Sequence, residues 1–381
     1  MRRKHLSEVC QMEYKRNVKV NVIDEGFDGK TCWVHGRAGA IPQASGKNKI
    51  VLTAQKLDLR GSDVFGVLHS RYSEDDGRTW TPFEPQNNLS LQWYRPYTVL
   101  SDFTPRYHAA TKKLLGTGHT VEYSSDAKVL RPRHCDTVYS VYDCERDCWG
   151  PSKVLYIPSN LPFFNSGAGS TQRFDLEDGT ILLPIRYLHD VRKGVSRGLI
   201  LRLSFDGEKL SVIEFGDPIC VDSSARGVSE PSIIRAKDCF LAALRTDEQG
   251  YLCKSKDGLH FGAPVPLRFD TGELVQNYNT QQHFLAHEND IYLVYTRKNG
   301  QNDHVFRHRA PLFMARIDPD SMTLCKESEQ AITPERGARL GNFGVIQLNE
   351  NAAVVTVCEW MQPIGCEKYG SDNAIFFVEI T

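Results

Sequence analysis

The sequence predicts an all-β protein, specifically a six-bladed β-propeller with tight hairpin turns. Short runs rich in Val, Ile, Leu, Phe and Tyr recur along the 381 residues, with turn residues between them. Each run lasts about 5–9 residues, which is the length of a strand, and no helical periodicity is sustained. A Ser/Asp/Gly turn pattern also recurs at a spacing near that of a four-stranded blade, and about six such blades fit the chain.

The predicted strands are the apolar runs themselves. Examples are KIVLTAQKL, TVYSVYD, GTILLPIRYL, GLILRLSFD, CFLAALRTD, DIYLVYTRK, NAAVVTVCEW and NAIFFVEIT. No proline- or serine-rich linker separates them, so we expect one domain over residues 26–381, preceded by an N-terminal extension over residues 1–25.

The turn pattern is most complete in SEDDGRTW at 73–80, and a second copy is SKDGLHF at 255–261. Weaker copies are SFDGEKL at 204–210 and SVYDCERDCW at 140–149. Ser and Asp side chains hydrogen-bond the backbone of such a turn, Gly supplies a positive φ, and the aromatic residue anchors it. We therefore expect Asp75 and Asp257 to be structural rather than catalytic.

Composition and charge exclude several classes of function. The formal net charge of −1 gives no reason to expect a nucleic-acid partner, and no run approaches the roughly 20 apolar residues of a membrane span. The N-terminus shows no secretory signal, and the 11 scattered cysteines suit free thiols, so we expect a cytoplasmic protein. Neither the cysteines nor the histidines have a metal-ligand spacing, so we predict no metal and no cofactor.

The complete turn motif, Ser-x-Asp-x-Gly-x-Thr-Trp at 73–80, is the Asp-box, and the chain resembles the sialidase superfamily of Asp-box propellers. The resemblance extends from about residue 30 through HGRAGAIP at 35–42, LRGSDVFG at 59–66 and SEPSIIRAKDCFLAALR to RHRAPLFM and CEWMQP. HGRAGAIP has three residues between its Arg and Ile-Pro that the family motif lacks. The resemblance implies a six-bladed fold, a glycan substrate and glycosidase activity.

The same resemblance assigns roles to residues of these segments. Three guanidiniums would clamp a substrate carboxylate, Asp63 would be the acid/base, and Glu230 would activate the nucleophile. Glu359 would steady the first arginine. The clamp residues are Arg37, Arg245 and Arg309, the last preferred to Arg307. We expect all three to meet on one face at the centre of the propeller.

A second departure from the family pattern concerns the nucleophile. Sialidases place a Tyr nucleophile between the third Arg and the last Glu, but no Tyr lies between Arg309 and Glu359. Asn342 or Phe343 would stand in that place, and Tyr278 in QNYNTQQH is a possible substitute. We therefore expect weak or no activity on ordinary sialosides.

Histidines offer further candidates for the site. His108 and His119 flank one predicted hairpin and could face the same rim, where an imidazole can bind or exchange protons with a sugar.

Two functions follow from these observations. The first is an exo-glycosidase that removes a terminal, acidic sugar by carboxylate catalysis. The second is a non-hydrolytic carbohydrate-binding propeller, or a polysaccharide lyase that uses His and Tyr. Whether Asp63 faces the arginines across a sugar-sized pocket discriminates between them.

Overall fold

The computed structural model describes residues 15–61, 63–130, 134–158, 164–188, 194–221 and 226–381. Strands account for 51% of the chain and helices for 4%, which confirms the all-β prediction. The strands of the described residues are β1 (Val18–Asp24), β2 (Thr31–Pro42), β3 (Asn48–Asp58), β4 (Phe65–Ser73), β5 (Glu84–Pro85), β6 (Thr98–His108), β7 (Lys113–Glu122), β8 (Thr137–Asp143), β9 (Cys148–Trp149), β10 (Lys153–Val154), β11 (Phe164–Gly167), β12 (Phe174–Asp175), β13 (Ile181–Leu188), β14 (Ser196–Phe205), β15 (Leu210–Phe215), β16 (Ser229–Ala236), β17 (Cys239–Arg245), β18 (Gly250–Ser255), β19 (Val265–Pro266), β20 (His283–His287), β21 (Asp290–Tyr295), β22 (Phe313–Asp318), β23 (Thr323–Leu324), β24 (Gln330–Ala331), β25 (Phe343–Asn349), β26 (Ala352–Cys358) and β27 (Ile375–Ile380). Short 3-10 helices span Asn87–Leu89, Phe306–His308, Lys326–Ser328 and Cys366–Tyr369.

The strands form six antiparallel sheets, which are the six blades of a β-propeller. In chain order the blades are β2-β3-β4-β5 (blade 1), β6-β7-β8-β10 (blade 2), β11-β13-β14-β15 (blade 3), β16-β17-β18-β19 (blade 4), β20-β21-β22-β23 (blade 5) and β25-β26-β27-β1 (blade 6). Strands β9, β12 and β24 pair beside β8, β13 and β22. The six-bladed prediction is confirmed.

The last blade is closed by the beginning of the chain. Strand β1 pairs with β27 along its length, with Val18 opposite Ile380 and Val22 opposite Phe376. The expected domain boundary after residue 25 is therefore wrong, because a strand of the propeller lies before it; residues 1–14 of that extension lie outside the described residues. Pairing the two ends of the chain in one sheet joins the first and last blades.

The hydrophobic core lies between neighbouring blades rather than in one central mass. Each of six buried clusters combines residues from two adjacent sheets. For example, Ile50 and Leu52 of blade 1 pack with Val354 and Phe377 of blade 6. Face-to-face packing of this kind leaves the ends of the sheets free to carry loops and a site.

The repeated turn motif connects the third strand of a blade to its outer strand. In the first copy the amides of Gly77 and Thr79 donate to Ser73 Oγ and Asp75 Oδ1, both at 2.8 Å. Trp80 Nε1 donates to the Gly77 carbonyl at 2.9 Å. These hydrogen bonds lower the pKa of Asp75 to about 2. The amide of Thr79 contributes most, followed by the Thr79 hydroxyl and the Ser73 hydroxyl.

Equivalent turns follow β8, β14, β18 and β22, and a turn-forming Asp accepts backbone amides in each. These residues are Asp143, Asp206, Asp257 and Asp318. The turn at Asp318 was not expected from the sequence, since the chain has Arg316 at the motif's Ser position and Asp320 at its Gly position. We call the end of the propeller that carries these turns the turn face.

The described residues contain no helix that is long and apolar enough to cross a membrane. Ten cysteines lie in the described part of the chain, and all of them are free thiols.

Candidate active site

A cavity of about 860 Å³ opens at the end of the propeller opposite the turn face. Phe65, the first residue of β4, lines it, whereas Ser73, the last residue of β4, begins a turn. Eight residues of strand place these points about 26 Å apart. The lining residues that carry the argument below are His35, Asp63, Asp102, His119, Asn165, Arg186, Arg226, Glu230, Arg245, Phe306, Arg307, Arg309, Arg339, Asn342 and Trp360.

Four of the lining residues occupy the same position in four successive blades. The first strands of blades 1 to 4 each contain a register shift, and within the shifts lie His35, Asp102, Asn165 and Glu230. All four have positive φ, between 45° and 56°. A β-bulge bends its strand and re-aims a side chain, and such backbone strain in non-glycine residues concentrates at functional sites. The bulges thus turn polar side chains of the inner strands into the cavity.

Charge is distributed unevenly around the cavity. Asp63 and Asp102 lie on blades 1 and 2, whereas the lining arginines lie on blades 3 to 6. These are Arg186, Arg226, Arg245, Arg307, Arg309 and Arg339, against which Glu230 is the one lining carboxylate on that side among the described residues. An anionic ligand is therefore attracted to one half of the cavity and meets carboxylates on the other.

Asn279 holds three of these guanidiniums together. Arg245 and Arg226 donate to its side-chain oxygen at 2.6 and 3.2 Å, and Arg309 donates to its backbone carbonyl. Burial, followed by the charges of Arg245 and neighbouring arginines, holds the pKa of Arg309 well below its usual range. We call Arg226, Arg245, Arg309 and Asn279 the arginine hub.

Glu230 is fixed by the arginine hub. Arg245 NH1 donates to Glu230 Oε1 at 2.5 Å, and the carboxylate is half-buried. The expected pair of Glu and Arg one hairpin apart thus forms a short ion pair on neighbouring strands, β16 and β17. The pair orients one guanidinium and holds a negative charge beside it.

Asp63 lies across the cavity from the hub, in the loop between β3 and β4. Its backbone has φ of 58°, and its carbonyl accepts a hydrogen bond from the hydroxyl of Tyr123 at 2.8 Å. The same hydroxyl accepts from the Phe65 amide at 2.9 Å. Tyr123 thereby ties both ends of the short segment that carries Asp63, which restrains the backbone from which the carboxyl group projects.

Arg37 does not join the arginine hub. It is fully buried beneath the cavity, and its guanidinium donates to Asp102 Oδ1 at 3.0 Å, Ser170 Oγ at 2.6 Å and Gln281 Oε1 at 2.9 Å. Its Nε donates to the Phe343 carbonyl at 3.2 Å. The expectation that three arginines meet in one clamp is therefore wrong for Arg37, because these partners, drawn from four other blades, hold it at the propeller axis.

Asp102 is the carboxylate that balances Arg37. It also lies 3.3 Å from His35 Nε2 and 3.5 Å from His119 Nε2, and Ser170 donates to it at 2.5 Å. Burial acts to raise the pKa of Asp102, but His35, Arg37, His119 and Ser170 outweigh it and hold the pKa well below its usual range. Asp102 is thus a fixed anion on the floor of the cavity.

Glu359 was expected to steady Arg37 and does not. Its carboxylate accepts from Arg336 at 2.8 Å and from the amides of Asp372 and Ala374 at 3.1 and 3.0 Å. Glu359 is 1% exposed and does not line the cavity. Its place at the end of β26 turns it toward the loops of blade 6, so its role is local.

The two histidines of the β6–β7 hairpin lie at opposite ends of it. His119 pairs with Ser101 and lines the cavity, whereas His108 pairs with Lys113 beside the turn. His108 is buried there against Thr111 and the Gly179 carbonyl, at 2.8 and 3.1 Å. The expectation that both face one rim is wrong, because the hairpin runs the full height of the blade.

No tyrosine is among the described residues that line the cavity, and Asn342 lies there instead. The expectation that Tyr278 substitutes as the catalytic phenol is not met, because Tyr278 is not part of the cavity wall. Its hydroxyl is instead bonded to His308 Nδ1 at 2.6 Å. Burial, the largest cause, raises the pKa of Tyr278 despite Arg307 and Arg309.

Aromatic residues form the remaining wall. The guanidinium of Arg339 lies between the rings of Trp360 and Phe306, 4.5 and 5.0 Å from their centroids. Phe65 packs edge-on against Trp360 with centroids 6.0 Å apart. A ring face beside polar groups suits a sugar, which has both apolar and hydroxyl-bearing faces.

Several site residues escaped the sequence analysis. Asp102, Arg226 and Arg339 lie in no segment that was singled out, and His35, the first residue of HGRAGAIP, was given no role. The bulges that orient Asp102 and His35 leave no mark in the amino-acid pattern. For Asn279 a signal was present, since it lies in the polar segment QNYNTQQH.

Comparisons with known proteins support the fold. The structure is similar to a protein of unknown function from Dyadobacter fermentans, with a TM-score of 0.69 and 16% identity over 96% of this chain and 99% of that one. It is also similar to the Trypanosoma rangeli sialidase in complex with sialic acid, with a TM-score of 0.59 and 13% identity over 96% of this chain and 58% of that one. For the NanB sialidase from Streptococcus pneumoniae the TM-score is 0.62, with 11% identity over 94% of this chain and 70% of that one.

These likenesses define the class of the protein: it has a sialidase-like six-bladed β-propeller fold. No protein-family model matches the chain, and no curated protein matches it. At 11–16% identity the similarity to these solved structures supports only the fold, so the function has to be inferred from the cavity.

Proposed function

We propose that this protein is a sialidase-like exo-glycosidase that hydrolyses a terminal, acidic sugar from a glycan. The observation that carries the proposal is the arrangement of one sugar-sized cavity, with Asp63 on blade 1 and the arginine hub on blades 4 and 5. A cavity of about 860 Å³ falls within the range of small-ligand sites.

The hub would bind the carboxylate of the sugar. Arg245 and Arg309 both line the cavity and are held by Asn279, so their donors are oriented before the substrate arrives. Oriented guanidiniums bind a carboxylate with charge-assisted, often bidentate hydrogen bonds. An acidic ring anchored at the hub would place its glycosidic bond toward blades 1 and 2.

Asp63 would then protonate the departing oxygen. It lies on the far side of the cavity from the hub, and Tyr123 fixes its backbone. A positioned carboxylic acid contributes about 10²–10⁴-fold to such a step. Asp102 is unsuited to donate a proton, because its neighbours hold it as an anion.

The nucleophile would not be a phenol. The cavity-lining residues of the described chain contain no Tyr, and Asn342 cannot form a useful covalent intermediate. A carboxylate nucleophile would be repelled by the carboxylate of the sugar, so we infer attack by water that Glu230 activates. This supports the expectation of weak or no turnover of ordinary sialosides.

The test is hydrolysis of a panel of glycosides that includes sialosides and uronides, by the wild type and Asp63→Asn. We expect Asp63→Asn to lower kcat about 10²–10⁴-fold on alkyl or sugar aglycones, and less on aryl aglycones, which depart without protonation. Ligand binding should change little. Asp143→Asn, in a turn on the opposite face, is the matched control. A near-native kcat of Asp63→Asn on a sugar aglycone would remove Asp63 from this role.

The absence of a phenol from the described cavity wall also favours a second candidate, a carbohydrate-binding propeller without hydrolysis. Calorimetric binding of an acidic sugar with no turnover of any panel member would support it. A lyase that uses His and Tyr has less support, since Tyr278 lies outside the cavity wall.

A further inference from the structure

Two further arginines of the cavity, beyond the three that Asn279 holds, share one aromatic ring. The guanidinium carbons of Arg307 and Arg339 are each 5.0 Å from the centroid of the Phe306 ring. Both side chains line the cavity. They belong to the loops before β22 and before β25, so two cations from different segments converge on one point.

Neither cation is balanced by an ion pair. Among the described residues, Arg226 pairs with Asp247 and Arg245 with Glu230, but no carboxylate oxygen lies within 4 Å of Arg307 or Arg339. Arg339 is 9% exposed and its buried Nε has no acceptor. Burial lowers the pKa of Arg339 to about 10; the charge of Asp63 opposes this shift, and the charge of Arg307 adds to it. Two adjacent cations without a direct ion pair, offset only by the more distant charges of Asp63 and Asp247, destabilise the unliganded protein.

The backbone is also strained where it presents Arg307. Arg307 and His308 have φ of 58° and 52° in succession. His308 is held on the other side by Tyr278 at 2.6 Å and Asp303 at 3.0 Å. Anchoring His308 in this way leaves Arg307 directed at the cavity, and strain of this kind persists where it serves a site.

One carboxylate does not need these two arginines. A carboxylate has two oxygens with about four acceptor positions, and the three guanidiniums of the hub already supply more donors than that. Phe306 is 42% exposed and Arg307 is exposed beside it, which places the ring and Arg307 toward the mouth of the cavity, whereas Arg339 is buried on the wall. A group bound there would belong to the part of the ligand that extends outward.

We propose that Arg307 and Arg339 form a second oxyanion site, and that the ligand is a glycan with two anionic groups. One group is the carboxylate of the terminal sugar at the hub; the other is a carboxylate, sulfate or phosphate on the next residue, bound over Phe306. The proposal rests on the proposed function for the first group alone. The second site follows from the two cations themselves.

The first experiment counts anion sites with inorganic sulfate by isothermal titration calorimetry at low ionic strength. Wild type should bind two sulfates, Arg307→Met one, and Arg245→Met one. Arg146→Met is the matched control, since Arg146 is 82% exposed in a turn on the opposite face, and it should bind two. A single site in the wild type, or two sites in Arg307→Met, would overturn the proposal.

The second experiment compares α2,8-linked disialic acid with 3′-sialyllactose, and digalacturonate with its monomethyl ester. Wild type should prefer the dianionic member of a pair by about 10-fold, the value of one charge-assisted hydrogen bond. In Arg307→Met the ratio should fall to about 1. Equal binding of both members by the wild type would refute the proposal. If neither pair binds, the proposed function fails for these sugars, while the sulfate titration still decides the second site.

Discussion

Replacing Asp102 by Asn should destabilise the protein by about 3–5 kcal/mol, the cost of breaking a buried ion pair by removing one partner. The substitution keeps the shape of the side chain but leaves the guanidinium of Arg37, which is 0% exposed, without its countercharge. With about 2.1 cal/mol/K of unfolding entropy per residue, Tm should fall by about 4–6 °C. Calorimetric or circular-dichroism melting at pH 7 measures this.

The control is Glu177→Gln, which removes a carboxylate from an exposed pair with Arg235 and should leave Tm within about 1 °C. The double variant Asp102→Asn/Arg37→Met should be more stable than the sum of the two single effects by about 2 kcal/mol, because it removes both charges together. Additivity within about 0.5 kcal/mol would refute the account of a buried pair at the axis.

The remaining predictions concern the loop that carries Asp63 and a buried imidazole. Tyr123→Phe removes the hydroxyl that donates to the Asp63 carbonyl, so kcat on a confirmed substrate should fall about 10-fold while KM changes little; an unchanged kcat would show that the loop is held otherwise. Burial, then the charge of Arg37, lowers the pKa of His283 to about 3. In the unfolded chain the imidazole has a pKa near 6.5, so as pH falls it is protonated there before it is protonated in the folded protein. The neutral His283 therefore contributes its full share to the free energy of unfolding above about pH 6.5, and this share is lost as pH falls toward 3. Urea unfolding measures the free energy of unfolding at pH 7 and at pH 4.5. The decrease between the two should be about 2–3 kcal/mol smaller in His283→Gln than in the wild type, and equal decreases would contradict the assignment.

The strands and turns could be predicted from the sequence because their causes are local. In the Ser73–Trp80 turn, Ser73 and Asp75 accept amides of the same turn, so its shape is encoded mainly by its own residues. Apolar runs of strand length with repeated turns gave the propeller and the number of blades. The resemblance to sialidases also pointed to Asp63, Glu230, Arg245 and Arg309, which the structure brings to one cavity.

The rest of the site could not be predicted, because its causes are distant in sequence. Arg37 meets Asp102 and Gln281, which are 65 and 244 residues away, and Glu359 meets Arg336 instead. These partners meet at one axis only when the six blades close into a ring. No local sequence pattern predicts which buried carboxylate will pair with a buried guanidinium.

The sequence by itself determined the all-β class, the blade repeat, the structural role of the turn aspartates and the absence of a Tyr between Arg309 and Glu359. The tertiary structure decided which residues face the cavity. It did so through bulges that re-aim single side chains, and through hairpin height, which separates His108 from His119 by about 20 Å of strand. Side-chain direction at a bulge depends on how neighbouring strands pair, and that pairing is a property of the assembled blades.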